Sequence, residues 1–363
     1  MGVQFLCQKN ELNRERRGYF TALSKRQGVG SNNLDNNLTF NAINPSIYST
    51  PIEDIDYVLF PDPPISILPS WIVQSPAPTI CFQIDTYSKP EWRALWSSLF
   101  DYVVAFHPGY EGYFSKYGHE RVLVFPHAVN AADYSRNAEE RPFDVGWVGR
   151  IDGPLYESRR RVLPILKDRY KLNDWQRFYT EDETPQIYGL SRIVVNIGRD
   201  DYPQDANLRC FEAMAAGALL ITHLPSELEQ IGFQSGEHFI GYHELDELPA
   251  LIDLFLRDSS RRKEIANKAR ELVLCKHSYD ARVASLLSIL DKDAGRKFAP
   301  ARKWTDAQVN YVYLHYFCKR AKLKEAKAEF WKLLTRSPAL ALRGYPWLLR
   351  CWQHSKTTMQ KIS

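Results

Sequence analysis

Four polar residues in the stretch VVNIGRDDYPQDANLRCFEAMAAGALLIT (residues 194–222) could do chemistry together: Asp205, Asn207, Arg209 and Glu212. A glutamate in the first turns of a helix can accept hydrogen bonds from ribose hydroxyls. The free N–H groups at the same helix start, with an arginine, can meet a diphosphate. The ordinary reading of Glu212 is a carboxylate favoured by the helix dipole by about 0.3–1 kcal/mol. Arg209 argues for more. A guanidinium at a helix N-terminus opposes the dipole, and a bound phosphate would remove that conflict and give it a bidentate partner. Its plain alternative is a surface pair with Asp201 or Asp205.

The elements that must position these residues follow from the same stretch. VVNI is β-branched and apolar, as a buried strand is. GRDDYPQDAN is a loop by composition. Asp205 or Asn207 can cap a helix carrying Leu208, Phe211, Glu212 and Met214; Gly217 ends it, and ALLIT opens the next strand. A polar loop feeding a helix just past the carboxyl end of a strand is where an open α/β sheet binds phosphorylated ligands. Two further strand ends carry candidates. FDVGWVGR ends in Gly149-Arg150, a second phosphate contact, whereas Arg159, Arg160 and Arg161 read as a solvated helix face. TICFQI (79–84) ends in Asp85-Thr86, where Asp85 could act as a general base or bind an acceptor hydroxyl, or simply cap a turn. His107 and His127 also follow strands, where a lone histidine is usually a structural hydrogen-bonder.

Several chemistries lack their signatures. Asp54-Ile55-Asp56 has the D-x-D form of a divalent-metal motif but runs straight into YVLF, and no other metal-ligand spacing stands out, so no metal is expected. Gly28-Val29-Gly30 lacks the third glycine and the preceding strand of a dinucleotide fingerprint. P-loop, HExxH and G-x-S-x-G patterns are absent.

The 363 residues, 44% hydrophobic and 25% charged, suit two globular domains. Short apolar runs alternating with helical patterns argue for an α/β chain with parallel sheets. We divide it into a first Rossmann-like domain (1–127), a connection bounded by prolines (128–142), a second Rossmann-like domain (143–298) and a helical extension (299–363). The extension resembles a tetratricopeptide hairpin, which cannot bury its own face alone. From Ala301 onward, 13 Lys/Arg stand against 3 Asp/Glu, a net of +10. With its tryptophans, this suggests either peripheral contact with an anionic membrane or a hairpin packed on the body with a solvated basic face. No recognised nucleic-acid module accompanies the charge. Six scattered cysteines without ligand spacing imply a reducing, cytoplasmic setting. The N-terminus does not read as a signal peptide, and no apolar run approaches the roughly 20 residues of a membrane span.

The segments VGWVGR, VVNIGRD, NLRCFEAMAAGALLIT, GEHFIGYHELDELPALIDLFLRD and IANKARELVLCKHSYDARVASLL resemble the second half of group-1-type glycosyltransferases, closest to the spore-maturation-like branch. CFQIDTY, YVVAFHPGYEGYFSKYG and VLVFPHAVN resemble that family's first-domain strand ends; the extension has no counterpart. The resemblance implies a GT-B fold, with two Rossmann-like domains facing across a cleft. It also implies transfer of a hexosyl group from a nucleotide-diphosphate sugar such as a UDP- or GDP-sugar, without metal or cofactor and with retention. The acceptor would be a glycan, a lipid-linked or a small molecule. The implied donor site takes in Gly149, Arg150, Tyr188, Arg199, Asp200, Gln204, Asn207, Leu208, Arg209 and Glu212; Asp85 and His107 are the catalytic candidates. Glu212 matches the second glutamate of the family's E-x7-E motif. Its first glutamate is replaced by Gln204, which can bind sugar hydroxyls but carries no charge. Two other functions compete: an epimerase using His223 or Glu227 as acid and base, and a degenerate binding or scaffold protein.

Overall fold

Short strands that are apolar on both faces build the first sheet. In the computed structural model, which describes residues 3–5, 14–26, 56–60, 72–75, 77–119, 121–134, 140–294 and 305–360, five strands run parallel in the order β1-β2-β3-β4-β5. They are β1 (Val3–Phe5), β2 (Tyr57–Phe60), β3 (Thr79–Gln83), β4 (Tyr102–Ala105) and β5 (Val122–Val124). Because side chains alternate along a strand, Leu59, Ile80, Phe82 and Val104 bury on one face and Val58, Phe60, Cys81 and Val103 on the other. Helix α1 (Arg14–Ser24) covers the first face with Tyr19, Ala22 and Leu23. Helices α2 (Pro90–Ser97) and α3 (Glu111–Lys116) cover the second; β3, β4 and β5 step in one direction, so right-handed crossovers put both on the same side.

The second sheet, also parallel, has the order β6-β7-β8-β9: β6 (Phe143–Gly146), β7 (Ser191–Asn196), β8 (Leu219–His223) and β9 (Ile240–Tyr242). Its helices are α4 (Glu157–Arg169), α5 (Glu183–Gly189), α6 (Leu208–Ala215), α7 (Glu227–Gln230), α8 (Leu248–Arg257) and α9 (Ser259–Lys276). Val145, Ile193 and Ile221 pack with α4 and α8 on one face; Val194 and Leu220 pack with α6 and α9 on the other. Gly217 sits at φ +69 directly after the C-cap of α6, as a left-handed helix stop requires.

The last helices return to the first sheet, which corrects one expectation. Helix α10 (Tyr279–Ala294) belongs by sequence position to the second domain, yet Val283, Leu286, Leu287 and Leu290 pack with α1 over β2, β3 and β4. The cause is a backbone link: Val129 N–H donates to His277 C=O (3.0 Å) and Tyr279 N–H to Val129 C=O (3.0 Å), delivering the chain back where it left. Gly18 permits the contact, since a Cβ there would lie 2.1 Å from the Tyr279 ring. The extension forms α11 (Asp306–Lys319), α12 (Leu323–Arg336) and α13 (Pro338–Gln360). It packs on the body: Val312, Leu314 and Tyr316 join Val58, Phe60, Cys81, Trp96 and Phe100 in one core, and Trp96 Nε1 donates to His315 Nδ1 (3.2 Å). Beside β6, a single parallel bridge between Val145 and Leu172 extends the edge of the second sheet. Asp54, Gly28-Val29-Gly30 and the proline-rich loop 61–69 lie outside the described residues. None of the described helices is long and apolar enough to cross a membrane.

Since Leu314 is fully buried in the core shared by the extension and β2, Leu314→Ala should destabilise the first domain together with the extension by about 2–5 kcal/mol. Denaturant unfolding followed by far-UV circular dichroism and by tryptophan fluorescence should move together; a separate early transition of the extension alone would contradict the shared core.

Candidate functional site

The carboxyl ends of β3, β4, β6, β7 and β8 converge on one cleft, where open parallel sheets place their ligands. At its second-domain wall, Asn207 takes an extended conformation (φ −65, ψ 168) and starts α6 without a side-chain cap. Its amide instead donates to Asn196 Oδ1 (3.2 Å), as does Arg209 Nε (3.2 Å), leaving the first-turn N–H groups of α6 uncapped by Asn207. Gly149 makes room for Arg209: a Cβ there would lie 2.7 Å from its guanidinium. Arg150 is exposed, and its carbonyl accepts from Arg159 (2.7 Å). Tyr188 is fully buried against α6.

Arg159 is a correction to the solvated face read from the sequence. It is 2% exposed, donates to Ile197 C=O (2.9 Å) and lies over the Tyr156 ring at 4.3 Å. Burial, then the positive charge of Arg209, pushes it down to about 9. Two guanidiniums therefore strain against each other beneath the cleft. Arg199 pairs with Asp201 through two bonds (2.9 and 2.8 Å) and sits 5.1 Å over the Tyr87 ring. Asp200, expected to face the sugar or diphosphate, spends its carboxylate on the N–H groups of Glu157 (2.7 Å) and Ser158 (3.3 Å), fastening the start of α4. The Gln204 carbonyl accepts from Glu227 N–H (3.0 Å).

Glu212 is 2% exposed. A dipole attraction of about 0.3–1 kcal/mol could not hold a carboxylate there, because burying an unpaired charge costs several kcal/mol. Its charge is met instead by the Arg14 guanidinium and by the Tyr134 hydroxyl, which donates to Oε1 (3.1 Å). Arg14, Arg17, Tyr134, Asp182, Leu208 and Glu212 line one opening between α1 and the second domain. Arg14 and Arg17 were missed in the sequence. The signal was present: arginines three apart beside an apolar Tyr19/Ala22/Leu23 face mark a helix with a cationic edge.

Across the cleft, His107 and Glu227 join the two domains. His107 Nδ1 lies 2.9 Å from Glu227 Oε2, Tyr202 O–H donates to Oε1 (2.6 Å) and Ala206 N–H to Oε2 (3.1 Å). Burial acts to raise Glu227, but His107, Tyr202 and Ala206 outweigh it and hold the carboxylate below its ordinary value. An ionised carboxylate only accepts, so His107 carries its proton on Nδ1. Tyr87 stacks on Tyr202 (4.6 Å), meets the His107 ring edge-on (4.9 Å) and reaches Asp85 Oδ1 with its hydroxyl (3.5 Å). Tyr87 thus links the catalytic candidates: His107 is buried, Asp85 exposed. His127 faces Glu15 (3.4 Å) rather than the cleft partners of His107. His223 Nδ1 sits 3.4 Å from the Pro225 carbonyl, while Glu227 accepts from Tyr202 and Ala206. Ligand atoms of His107, Asp205 and Glu227 lie within 4.8 Å of one another.

With this geometry in hand, the chain can be placed among known proteins. Residues 143–288 match the family described as Glycosyl transferase-like. The fold is shared by HepE of Anabaena in complex with UDP and glucose (TM-score 0.54, 14% identity), covering 80% of this chain and 100% of that one. A glycosyltransferase from Rickettsia africae is similar at TM-score 0.52 and 14% identity, over 82% of this chain and 99% of that one. No curated protein matches the sequence. The chain thus has the fold of these GT-B proteins, and its second sheet with the surrounding helices matches the glycosyl transferase-like domain.

Asp205 supplies a test of the cleft's electrostatics. Burial raises its carboxyl, only partly offset by His107, His127 and Arg209, while Glu227 adds to the rise. A raised folded value means that stability is fully present below the ordinary carboxyl range and is lost as pH rises through the folded value. Asp205→Asn, neutral throughout, should therefore be more stable than the parent near about pH 7 and lose that advantage below about pH 4. Thermal melts of both proteins across this range read the difference; a pH-independent gap would be the contrary result.

Proposed function

We propose that the protein transfers a hexosyl group from a nucleotide-diphosphate sugar, held mainly by the second domain, to an acceptor entering from the first. The observation that carries this reading is Glu212: a buried carboxylate on α6, beside the uncapped first-turn N–H groups and Arg209. Ribose hydroxyls would donate to Glu212 as Arg14 yields it. The diphosphate would lie at the start of α6 against Arg209, with Gly149, Asn207 and Leu208 shaping the approach. Arg150 and Arg199 would stand at its rim, and Tyr188 would support α6 from below. An anion there relieves the repulsion between Arg209 and Arg159, so the leaving group's charge is offset by arginines and helix N–H groups without a metal. Gln204 would address the transferred sugar, and His107 would bind its hydroxyls through Nε2, which is buried without a partner.

Asp85 would bind the acceptor hydroxyl. We take the transfer to be retaining, with Asp85 positioning the hydroxyl rather than acting as its base and with Glu227 committed to three donors. The departing phosphate is then the group that takes the acceptor's proton. HepE, with UDP-glucose bound in another structure of this fold (TM-score 0.52, 14% identity), makes a UDP-sugar the first donor to test. A scaffold role is favoured by one feature, the Arg14–Glu212 pair, which fills the carboxylate a donor would use.

UDP should raise the melting temperature, and Glu212→Ala should weaken UDP binding at least about tenfold, or ~1.4 kcal/mol. Turnover should survive a chelator and give the retained anomer by proton NMR. Unchanged UDP affinity in the variant would remove Glu212 from the site; no binding or turnover with UDP-, GDP-, ADP- or dTDP-sugars would leave the scaffold role.

The extension adds a second surface. Leu342, Tyr345, Leu349 and Trp352 recur at three- and four-residue steps on α13 and are exposed, as is Trp331 on α12, with Arg343 and Arg350 alongside. Amphipathic basic faces of this kind suit an anionic bilayer surface. We place the protein in the cytoplasm, in peripheral contact with such a membrane; the buried thiols of Cys81 and Cys210 fit a reducing compartment. Co-sedimentation with phosphatidylglycerol vesicles should fall on Trp352→Ser and vanish with phosphatidylcholine alone; equal binding to both lipids would count against the charge-driven contact.

A further inference from the structure

The extension does more than cover the first sheet: it closes one side of an aromatic groove. Between α2, α3, α11 and α13 lies a cavity of about 460 Å³. Trp92, Tyr113 and Tyr117 of the first domain face Trp347 of the extension across it. All four are partly exposed. Lys89, Glu91 and Lys319 add charged groups to the lining, and among the described residues its aliphatic side chains are Leu95 and Pro90. His315, below Trp347 at 4.3 Å, is pushed down to about 3, chiefly by burial, and so stays neutral.

The groove is continuous with the cleft. Tyr110, Tyr113 and Tyr117 follow each other at three- and four-residue steps, which puts them along one side of α3. Tyr110 meets Tyr202 in the cleft (6.0 Å) and lies 6.4 Å from His107; Tyr113 stacks on Tyr110 (5.4 Å, 28°) and enters the groove. A track of aromatic rings therefore leads from the proposed transfer point to Trp92 and Trp347.

The geometry points to a saccharide chain as the occupant: we infer that the groove holds the distal units of a glycan acceptor whose end reaches the cleft. This rests on the glycosyl-transfer reading of the cleft and narrows its acceptor to one class. A pyranose has an apolar C–H face, which packs flat on an aromatic ring, and a hydroxyl edge, which needs hydrogen-bonding groups around it. The groove supplies both. An acyl chain would leave the charged groups without partners and would meet few aliphatic side chains.

The test uses the full-length protein and three probes, cellohexaose, chitohexaose and maltohexaose, with glucose as the short control. At least one hexasaccharide should bind, read by tryptophan fluorescence and calorimetry, and more tightly than glucose. Trp347→Ala in the extension and Tyr117→Ala in the first domain should each weaken that binding by about tenfold. Both should leave UDP affinity unchanged, which also shows that each variant is folded. Glu212→Ala should do the reverse, losing UDP and keeping the hexasaccharide. If none of the three binds, or if both groove variants bind like the parent, the inference is overturned. Saccharide binding without UDP binding would sustain the groove and remove the transferase reading of the cleft.

Discussion

A parallel sheet must be covered on both faces, and part of the cover of the first sheet comes from later in the chain. Among the described residues, α1 shields one face only with the help of α10, which arrives from the far end of the second domain. The other face is shielded by α2 and α3 only with the help of the extension. This constraint ties the two halves together. The return of α10 through the Val129–Ser278 bridge holds the carboxyl ends of both sheets around one cleft. Docking of α11 to α13 makes Trp347 a neighbour of Trp92.

Within the cleft the recurring problem is buried charge. Breaking a buried ion pair by removing one partner costs about 3–5 kcal/mol, so each buried charge must find its complement in the opposite domain or in a ligand. Glu227 finds His107, and Glu212 finds Arg14. Among the described residues, Arg209 and Arg159 donate to carbonyl and amide oxygens, and Arg159 also lies over aromatic rings, a weaker answer that an anion would improve. The same accounting separates residues that hold structure from those open to a ligand. Asp200 is consumed by α4, whereas Asp205 has an oxygen with no hydrogen-bond partner.

Much of this was legible from local pattern. Short continuous apolar runs marked the strands, and the run from Val194 to Thr222 folds as the expected strand, loop, helix and strand. Asn207 and Arg209 meet at Asn196 with Gly149 beside Arg209, whereas Glu212 pairs with Arg14 and Tyr134. Less legible were the residues whose role depends on what stands opposite them. Arg159 looked solvated because nothing in its helix reveals Trp147 and Tyr156 beneath it. Glu227 was read as a possible acid or base of an epimerase; its His107 partner is 120 positions away.

By itself, the sequence determined what depends on neighbours in the chain: strand and helix periods, the start of α6 at Asn207, the Gly217 stop and the cationic extension, whereas the side-chain cap expected from Asp205 or Asn207 does not form. Only the tertiary structure decided which charges meet, that α10 belongs with the first sheet, and that the extension helps to build a groove. The physical reason is that backbone conformation and amphipathic period are set over a few residues. Charge neutralisation, double-sided sheet cover and aromatic stacking join groups more than a hundred residues apart, and their partners exist only once the chain has closed on itself.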